Sequence, residues 1–150
     1  MREGISGAWL MQITTVFILL FSGYLALSMN MSKANKVKNE IITVIERQNG
    51  LSPKAREQIG FYLKDVGYRT TGMCDDDWQG YDLDGTPQSG RSHYCVLQIN
   101  NPGSANGELP PSAYFKVVVF FQMDLPIFGD LFRMHISTDS KIIYYPTDIY

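Results

Sequence analysis

Residues 4–32 form an uncharged, largely apolar run that differs from everything after it. No residue between Gly4 and Ser32 carries a charge. About 20 apolar residues cross the hydrocarbon core of a bilayer, so this run is long enough to span one with some tilt. The pattern therefore predicts a transmembrane anchor over residues 1–32, followed by a separate domain over residues 33–150.

Two other interpretations of the run remain open at this point. It could be a helix buried in a soluble core, although so long a run in so small a chain disfavours that. It could also be a cleaved signal peptide, because Ala26-Leu27-Ser28 has the small-x-small pattern that a signal peptidase accepts. Against cleavage, the run exceeds the usual apolar region of about 7–15 residues, and only Arg2 and the α-amine precede it as positive charges.

The less apolar residues of the anchor share one side of a helix when turned at about 100° per residue, with Leu19 interrupting the stripe. They are Gly4, Ala8, Gln12, Thr15, Ser22 and Ala26. In lipid, small residues let two backbones approach, and Gln or Thr can hydrogen-bond across a helix pair. The stripe predicts packing against the membrane helix of another molecule, with chance placement as the alternative.

Beyond Ser32 the pattern becomes amphipathic and continues without Pro or Gly as far as Asn49. Val37, Ile41 and Val44 share one face, which is typical of a helix that packs against a domain. We expect one continuous helix of about 45 residues, roughly 65–70 Å long at 1.5 Å per residue. Asn49-Gly50 should end it, with the glycine as its left-handed cap.

A second, shorter helix is predicted after that turn. Ser52 can cap it, Pro53 suits the first helical position, and Gly67 ends it. Its apolar residues, Ala55, Ile59, Tyr62, Leu63 and Val66, lie on one side. The two helices are expected to form a helical hairpin over residues 33–67.

The rest of the chain, residues 68–150, favours an antiparallel sheet of about four to five strands, and the fold class is α+β. Alternating and β-branched residues mark strands near Tyr68–Met73, His93–Ile99, Tyr114–Met123, Leu131–Ser137 and Lys141–Tyr145. The last two are expected to form a hairpin around Thr138-Asp139-Ser140. The apolar turn from Asp124 to Gly129 is interpreted as a plug closing one end of the core, with an exposed contact patch as the alternative.

Two cysteines, Cys74 and Cys95, fall in the predicted sheet region. An even count in one domain favours a disulfide and an oxidising compartment, with buried free thiols as the alternative. The positive-inside rule gives the opposite orientation, because Lys33, Lys36 and Lys38 follow the anchor. We favour a domain outside the cytoplasm.

An acidic loop lies between the two cysteines. Its carboxylates are Asp75, Asp76, Asp77, Asp82 and Asp84. Asp82-Leu83-Asp84-Gly85 resembles part of a calcium-binding EF-hand loop, but Pro87 occupies the position of the sharp glycine turn and no glutamate stands at the twelfth position. A solvated acidic loop over residues 75–92 is the favoured interpretation, and calcium binding is the alternative.

Charge and motifs disfavour two classes of function. The formal net charge is -2, so no basic excess is available to neutralise nucleic-acid phosphates. His93 and Cys95 share a strand face but have no evident third residue to orient them, and His135 stands alone. No phosphate loop, nucleophile elbow or zinc spacing occurs. We expect a non-enzymatic protein with no metal site and no cofactor.

An apolar N-terminal helix that continues as an amphipathic helix and leads into a disulfide-closed sheet resembles the plan of type IV pilins and pseudopilins, and of small TadE-like envelope proteins. The resemblance covers the whole chain and rests on architecture. Gly7-Ala8 stands where prepilins are cleaved, while Gln12 occupies the position of their glutamate. The resemblance implies a structural or assembly component of a bacterial envelope appendage or secretion system. The alternative is an anchored binding domain that acts through the acidic loop.

Overall fold

The chain folds into two helices followed by short and long antiparallel strands. The computed structural model describes residues 2–102, 110–125 and 129–145. Of these, residues 2–6 and those from 123 to 133 are described by their backbone alone. The helices are α1, Arg2–Arg47, and α2, Pro53–Asp65. The strands are β1 Gly72–Met73, β2 Gln79–Tyr81, β3 Pro87–Gln88, β4 Arg91–Ser92, β5 Tyr94–Asn101, β6 Ser112–Leu125, β7 Gly129–Asp139 and β8 Ile143–Tyr144.

The single long helix is confirmed, because α1 runs for 46 residues without interruption. Its helical path continues through Ser28, so the small-x-small site lies within regular helix. The prediction for its cap was wrong in one detail. Asn49, at φ 50°, adopts the left-handed conformation, and Gly50 follows at φ 134°. Asparagine tolerates this region better than most residues because its short polar side chain bonds locally.

The predicted caps of α2 are confirmed. The Ser52 hydroxyl accepts a hydrogen bond from the Ala55 N–H at 3.1 Å, and Pro53 opens the helix. Gly67 follows the C-terminal end at φ 66°. The buried face differs slightly from the expectation, since Val66 is exposed and Gly60 is buried.

The described residues form one six-stranded antiparallel sheet and one two-stranded sheet. The larger sheet has the order β3-β2-β5-β6-β7, and β8 also pairs with β6. The strand predicted over Tyr68–Met73 shortens to β1, which pairs with β4 instead of joining the main sheet. The segment expected to be an irregular loop contains β2, β3 and β4, because Gly80 and Tyr81 pair directly with Cys95 and Tyr94 of β5.

The predicted hairpin between the last two strands was wrong. β7 pairs with β6 from Lys116 onwards, and β8 then pairs with Ala113 and Ser112 of the same strand. Ser140 bridges the gap, since its backbone N–H donates to the Phe115 carbonyl at 2.8 Å and its hydroxyl accepts from the Phe115 N–H at 2.9 Å. One edge of β6 therefore supplies the backbone hydrogen-bonding partners of both β7 and β8, and these two strands do not pair with each other.

The core lies between the helices and one face of the sheet. The odd-numbered residues of β6 from Ala113 to Phe121 are buried beneath α1 and α2, and Val117 and Val119 are fully buried. They meet Ile41 and Ile45 of α1 and Leu63 of α2 in one hydrophobic cluster. The C-terminal half of α1, here called its lower half, is therefore part of the core of the folded domain, here called the head. The N-terminal half, here called its upper half, carries the apolar run.

The small β1–β4 sheet covers the opposite face. A Cβ added at Gly72 would lie 2.2 Å from the Phe120 ring, so this glycine lets the backbone of β1 rest directly on that side chain. The apolar turn predicted from Asp124 to Gly129 connects β6 and β7, but its central residues 126–128 lie outside the described residues.

Candidate functional site

The upper half of α1 is left uncovered by the head. Every residue from Gly7 to Ser22 is exposed. Within the described part of the chain, one helix, Gly7–Arg47, is long and apolar enough to cross a membrane. None of the residues in its most apolar stretch is buried against the rest of the protein. Large apolar side chains such as Phe17, Leu20 and Phe21 are more than half exposed. This surface needs lipid or another helix around it.

The polar side chains of the predicted packing stripe differ in whether they form hydrogen bonds within α1. Ala8, Gln12 and Thr15 line a shallow groove on the helix surface. The Thr15 hydroxyl donates to the Met11 carbonyl at 2.8 Å, and the Ser22 hydroxyl donates to the Leu19 carbonyl at 3.0 Å. Their donors are therefore used within the helix.

Gln12 is the exception in the stripe, because its amide has no hydrogen-bonding partner among the described residues. An amide group in lipid is stabilised when it forms a hydrogen bond to a second helix. Ala26, at the far end of the stripe, is half-buried near the head. Gly4 lies within α1, outside the residues whose side chains are described.

The two cysteines form a disulfide, as predicted. Cys74 follows β1, Cys95 lies in β5, and their Cα atoms are 5.8 Å apart. Cys95 is buried, so the bridge ties the small sheet to the outer face of the large one. Since the sulfur of Cys95 is in a disulfide, a Cys95 thiolate paired with His93 is not present. His135 is exposed on β7.

The acidic loop is folded back onto α2, and its carboxylates fall into two groups. Asp82 Oδ1 lies 2.8 Å from His93 Nδ1 and accepts the Leu83 N–H at 2.7 Å. Asp84 forms an ion pair with Lys64 of α2. These two carboxylates thus already face protein cations or donors.

Asp75, Asp76 and Asp77 form the second group and are exposed, beside the half-buried Trp78. The Asp75 carbonyl closes a turn by accepting the Trp78 N–H at 2.9 Å. Among the described residues, no three His, Cys, Asp or Glu side chains come together in a way that would hold a metal ion. Calcium binding by the loop stays a prediction that the geometry does not support.

Close backbone contact explains how the loop is held on α2. A Cβ added at Gly60 would lie 2.1 Å from the Leu83 carbonyl oxygen, and one added at Gly85 would lie 2.9 Å from the Arg56 Cβ. The Arg56 guanidinium also stands 5.7 Å from the centre of the Tyr81 ring. Tyr81 in turn stacks on Tyr94 at 5.4 Å between ring centres.

Gly60→Ala is expected to destabilise the protein by about 1–3 kcal/mol. Alanine would ordinarily favour the helix by about 1 kcal/mol over glycine, but here its methyl group collides with a backbone atom that cannot rotate away. Urea unfolding of the full chain, followed by tryptophan fluorescence, measures the change. Gly90→Ala is the control, since nothing lies within 4 Å of its Cβ position. A Gly60→Ala variant as stable as the control would show that the loop does not rest on α2.

A cleft missed by the sequence analysis lies where α1 emerges from its apolar run. Its volume is about 310 Å³, and α1, the end of α2 and β6 all contribute to it. Three cations line it, Lys33, Lys36 and Arg69, together with the polar side chains of Asn30 and Thr70. The lysines are visible in the sequence as a cluster, but Arg69 joins them only through the hairpin of the two helices.

Hydrogen bonds from Tyr68 to β6 hold the floor of the cleft in place. The Tyr68 hydroxyl accepts the Phe120 N–H at 2.9 Å and donates to the Phe120 carbonyl, which fixes the chain after α2 to β6. Burial raises the pKa of Tyr68 well above its ordinary value. Tyr62 at the rim also has a raised pKa, first from burial and then from the charges of Glu40 and Asp65. Both phenols therefore stay neutral hydroxyl groups at physiological pH.

Comparison with known proteins finds no matching family model, no matching curated protein and no matching solved structure.

Proposed function

We propose that this protein is a non-enzymatic structural or assembly component of a bacterial cell-envelope appendage or secretion system. Its N-terminal helix packs against membrane helices of other subunits, either its own kind or related ones. Its head stands outside the cytoplasm. This is the pilin-like or TadE-like arrangement that the architecture resembles.

The observation that carries the proposal is the uncovered helix. Gly7 to Ser22 is exposed on every side, so the head takes no part in covering it. A helix that served only as an anchor would not need an amide side chain within the apolar run. Here one face instead carries Ala8, Gln12 and Thr15, and the unpartnered amide of Gln12 gives a second helix a hydrogen-bonding group inside lipid.

The disulfide supports the placement of the head. Disulfides persist in oxidising compartments and are rare in the cytoplasm, where thiols are kept reduced. Cys74 and Cys95 are paired across the outer face of the sheet. We give this bond more weight than the lysines after the helix, because those lysines have another use at the cleft.

The alternative function, an anchored binding domain acting through loop 75–92, has less support. Asp82 and Asp84 already face His93 and Lys64. Only the exposed group at Asp75–Asp77 would be available to a ligand or partner.

Replacing the stripe's polar residues is expected to remove association with partner helices. In a Gln12→Leu/Ser22→Leu variant, the amide is lost and a bulky side chain holds the backbones apart. The measurement is crosslinking in intact membranes, followed by purification and identification of the crosslinked partners. We expect the crosslinked fraction to fall at least about tenfold, which corresponds to about 1.4 kcal/mol.

The matched control is Thr14→Leu/Ser28→Leu, which adds the same number of leucines on other faces of α1. It should keep its crosslinks, because Thr14 and Ser28 lie on faces of α1 away from the stripe and the variant leaves the Gln12 amide in place. If the stripe variant crosslinks as well as wild type, the assembly function is contradicted. If both variants lose their crosslinks, the stripe has no special part in association.

A further inference from the structure

We propose that the cleft above the apolar run is a binding site for the headgroup of an anionic phospholipid. The inference rests on the membrane anchoring that is part of the proposed function, and it adds a ligand and a site to it. Three observations carry it: the position of the cleft along α1, the charges that line it, and the donors around those charges.

The position follows from the length of the uncharged run. Gly4 to Ser32 extends about 43 Å along a helix at 1.5 Å per residue. A bilayer with its headgroup layers is about 40–45 Å thick. Asn30 and Lys33 therefore stand at the level of the lipid phosphates, and both line the cleft.

The charges are unbalanced. Lys33, Lys36 and Arg69 line the cleft, and none of them has an ion-pair partner among the described residues. No carboxylate lines it either, since Glu40 and Asp65 act on the rim residue Tyr62 without lining the cleft itself. Three cations around one concave surface form an anion site, and each is worth about 1 kcal/mol near an anionic membrane surface.

The neighbouring groups suit a phosphodiester. Arg69 can hold two phosphate oxygens at once, and the hydroxyl groups of Thr70 and Tyr62 supply neutral donors beside it. The carbonyl groups at the end of α2 would repel an anion if they were free. Three of them are already bonded, because the N–H groups of Val66, Gly67 and Tyr68 donate to the carbonyls of Tyr62, Lys64 and Leu63, respectively.

Apolar contacts complete the match to a lipid. Val37 and Phe121 form the inner wall, and Val66 at the rim is exposed. A free inorganic anion has no apolar atoms to pack against this wall, whereas a phospholipid carries glycerol and acyl carbons next to its phosphate. We therefore commit to the lipid headgroup. The same assignment explains why basic residues follow the apolar run on the outer side of the membrane.

The test titrates the full chain in a neutral detergent with phosphatidylglycerol or with phosphatidylcholine and measures bound lipid by native mass spectrometry. Wild type should bind phosphatidylglycerol at least about tenfold more tightly than phosphatidylcholine. A Lys33→Gln/Lys36→Gln/Arg69→Gln variant should lose this preference. A Lys33→Arg/Lys36→Arg/Arg69→Lys variant keeps the charges and should retain it.

The charge-matched control is Arg47→Gln/Lys54→Gln/Arg91→Gln, which removes three exposed cations that do not line the cleft. It should bind phosphatidylglycerol like wild type. Equal binding of the two lipids by wild type overturns the proposal, and so does an equal loss in both glutamine variants. Displacement of the lipid by inorganic phosphate at the same concentration overturns the assignment to a lipid. Alkaline carbonate extraction of cell membranes distinguishes failure of the proposed function from failure of this inference. Release of the chain contradicts membrane anchoring. Retention of the chain without a lipid preference contradicts only the lipid site in the cleft.

Discussion

Replacing Cys74 and Cys95 together by alanine should lower the free energy of unfolding by about 3 kcal/mol. The bridge closes a loop with a sequence separation of 21 residues, and the loss of chain entropy in the unfolded state grows with the logarithm of that length. The segment inside the loop depends on it, because its strands β2, β3 and β4 have only two or three residues each. Two or three residues of pairing hold such strands weakly without a covalent tie.

Urea unfolding of the full chain, under oxidising conditions and with reductant, measures this change. Reductant should destabilise wild type by about the same amount and leave the double variant unaffected. An equal unfolding midpoint for wild type and the double variant would show that the bond adds no stability. Retained stability of wild type in reductant, with the thiols shown to be free, would lead to the same conclusion.

Ile45→Ala should cost about 2–5 kcal/mol, the range for truncating a fully buried aliphatic side chain. Ile45 is 0% exposed and lies in the cluster that joins α1 to α2 and the sheet. The truncation removes apolar contact and leaves a cavity that the rigid sheet cannot close. We expect the loss to appear in the unfolding of the whole head, because the lower half of α1 is part of its core.

Ile142→Ala is the matched control, since it removes the same atoms from a residue that is 56% exposed. Its effect should stay within about 0.5 kcal/mol. If Ile45→Ala is as mild as the control, α1 does not form part of the core. In that case the head would not be fixed to the anchor through a continuous helix, and the cleft between Lys33 and Arg69 would lose its fixed shape.

Local signals predicted the helices because the residues that decide them are close in sequence. Ser52 caps α2 by accepting a hydrogen bond from Ala55 within one turn, and Pro53 has a fixed φ that suits the first helical position. No Pro or Gly lies between Met29 and Asn49, so no residue type in that stretch stops α1. The cap at Asn49 was misassigned because asparagine and glycine both tolerate positive φ, and their order decides between them.

Strand pairing was harder to predict, because a strand's partner is chosen by contacts far along the chain. β8 pairs with β6, not with its neighbour β7, since the edge of β6 extends past the end of β7. Likewise β2 appeared polar and irregular in sequence, and it becomes a strand because Gly80 and Tyr81 bond to β5. Gly60 and Gly72 gave no sign of their importance, which comes from the backbone or ring that each one touches.

The sequence alone determined the long helix, its uncharged upper half and the stripe from Gly4 to Ala26, and it favoured the pairing of Cys74 with Cys95 that the structure contains. These follow from periodicity, charge and residue type within short stretches. Only the tertiary structure decided that Asp82 faces His93 and Asp84 faces Lys64, and that Arg69 joins Lys33 and Lys36 around one cleft. The physical reason is that an electrostatic site is defined by distance in space, and the hairpin of α1 and α2 sets those distances.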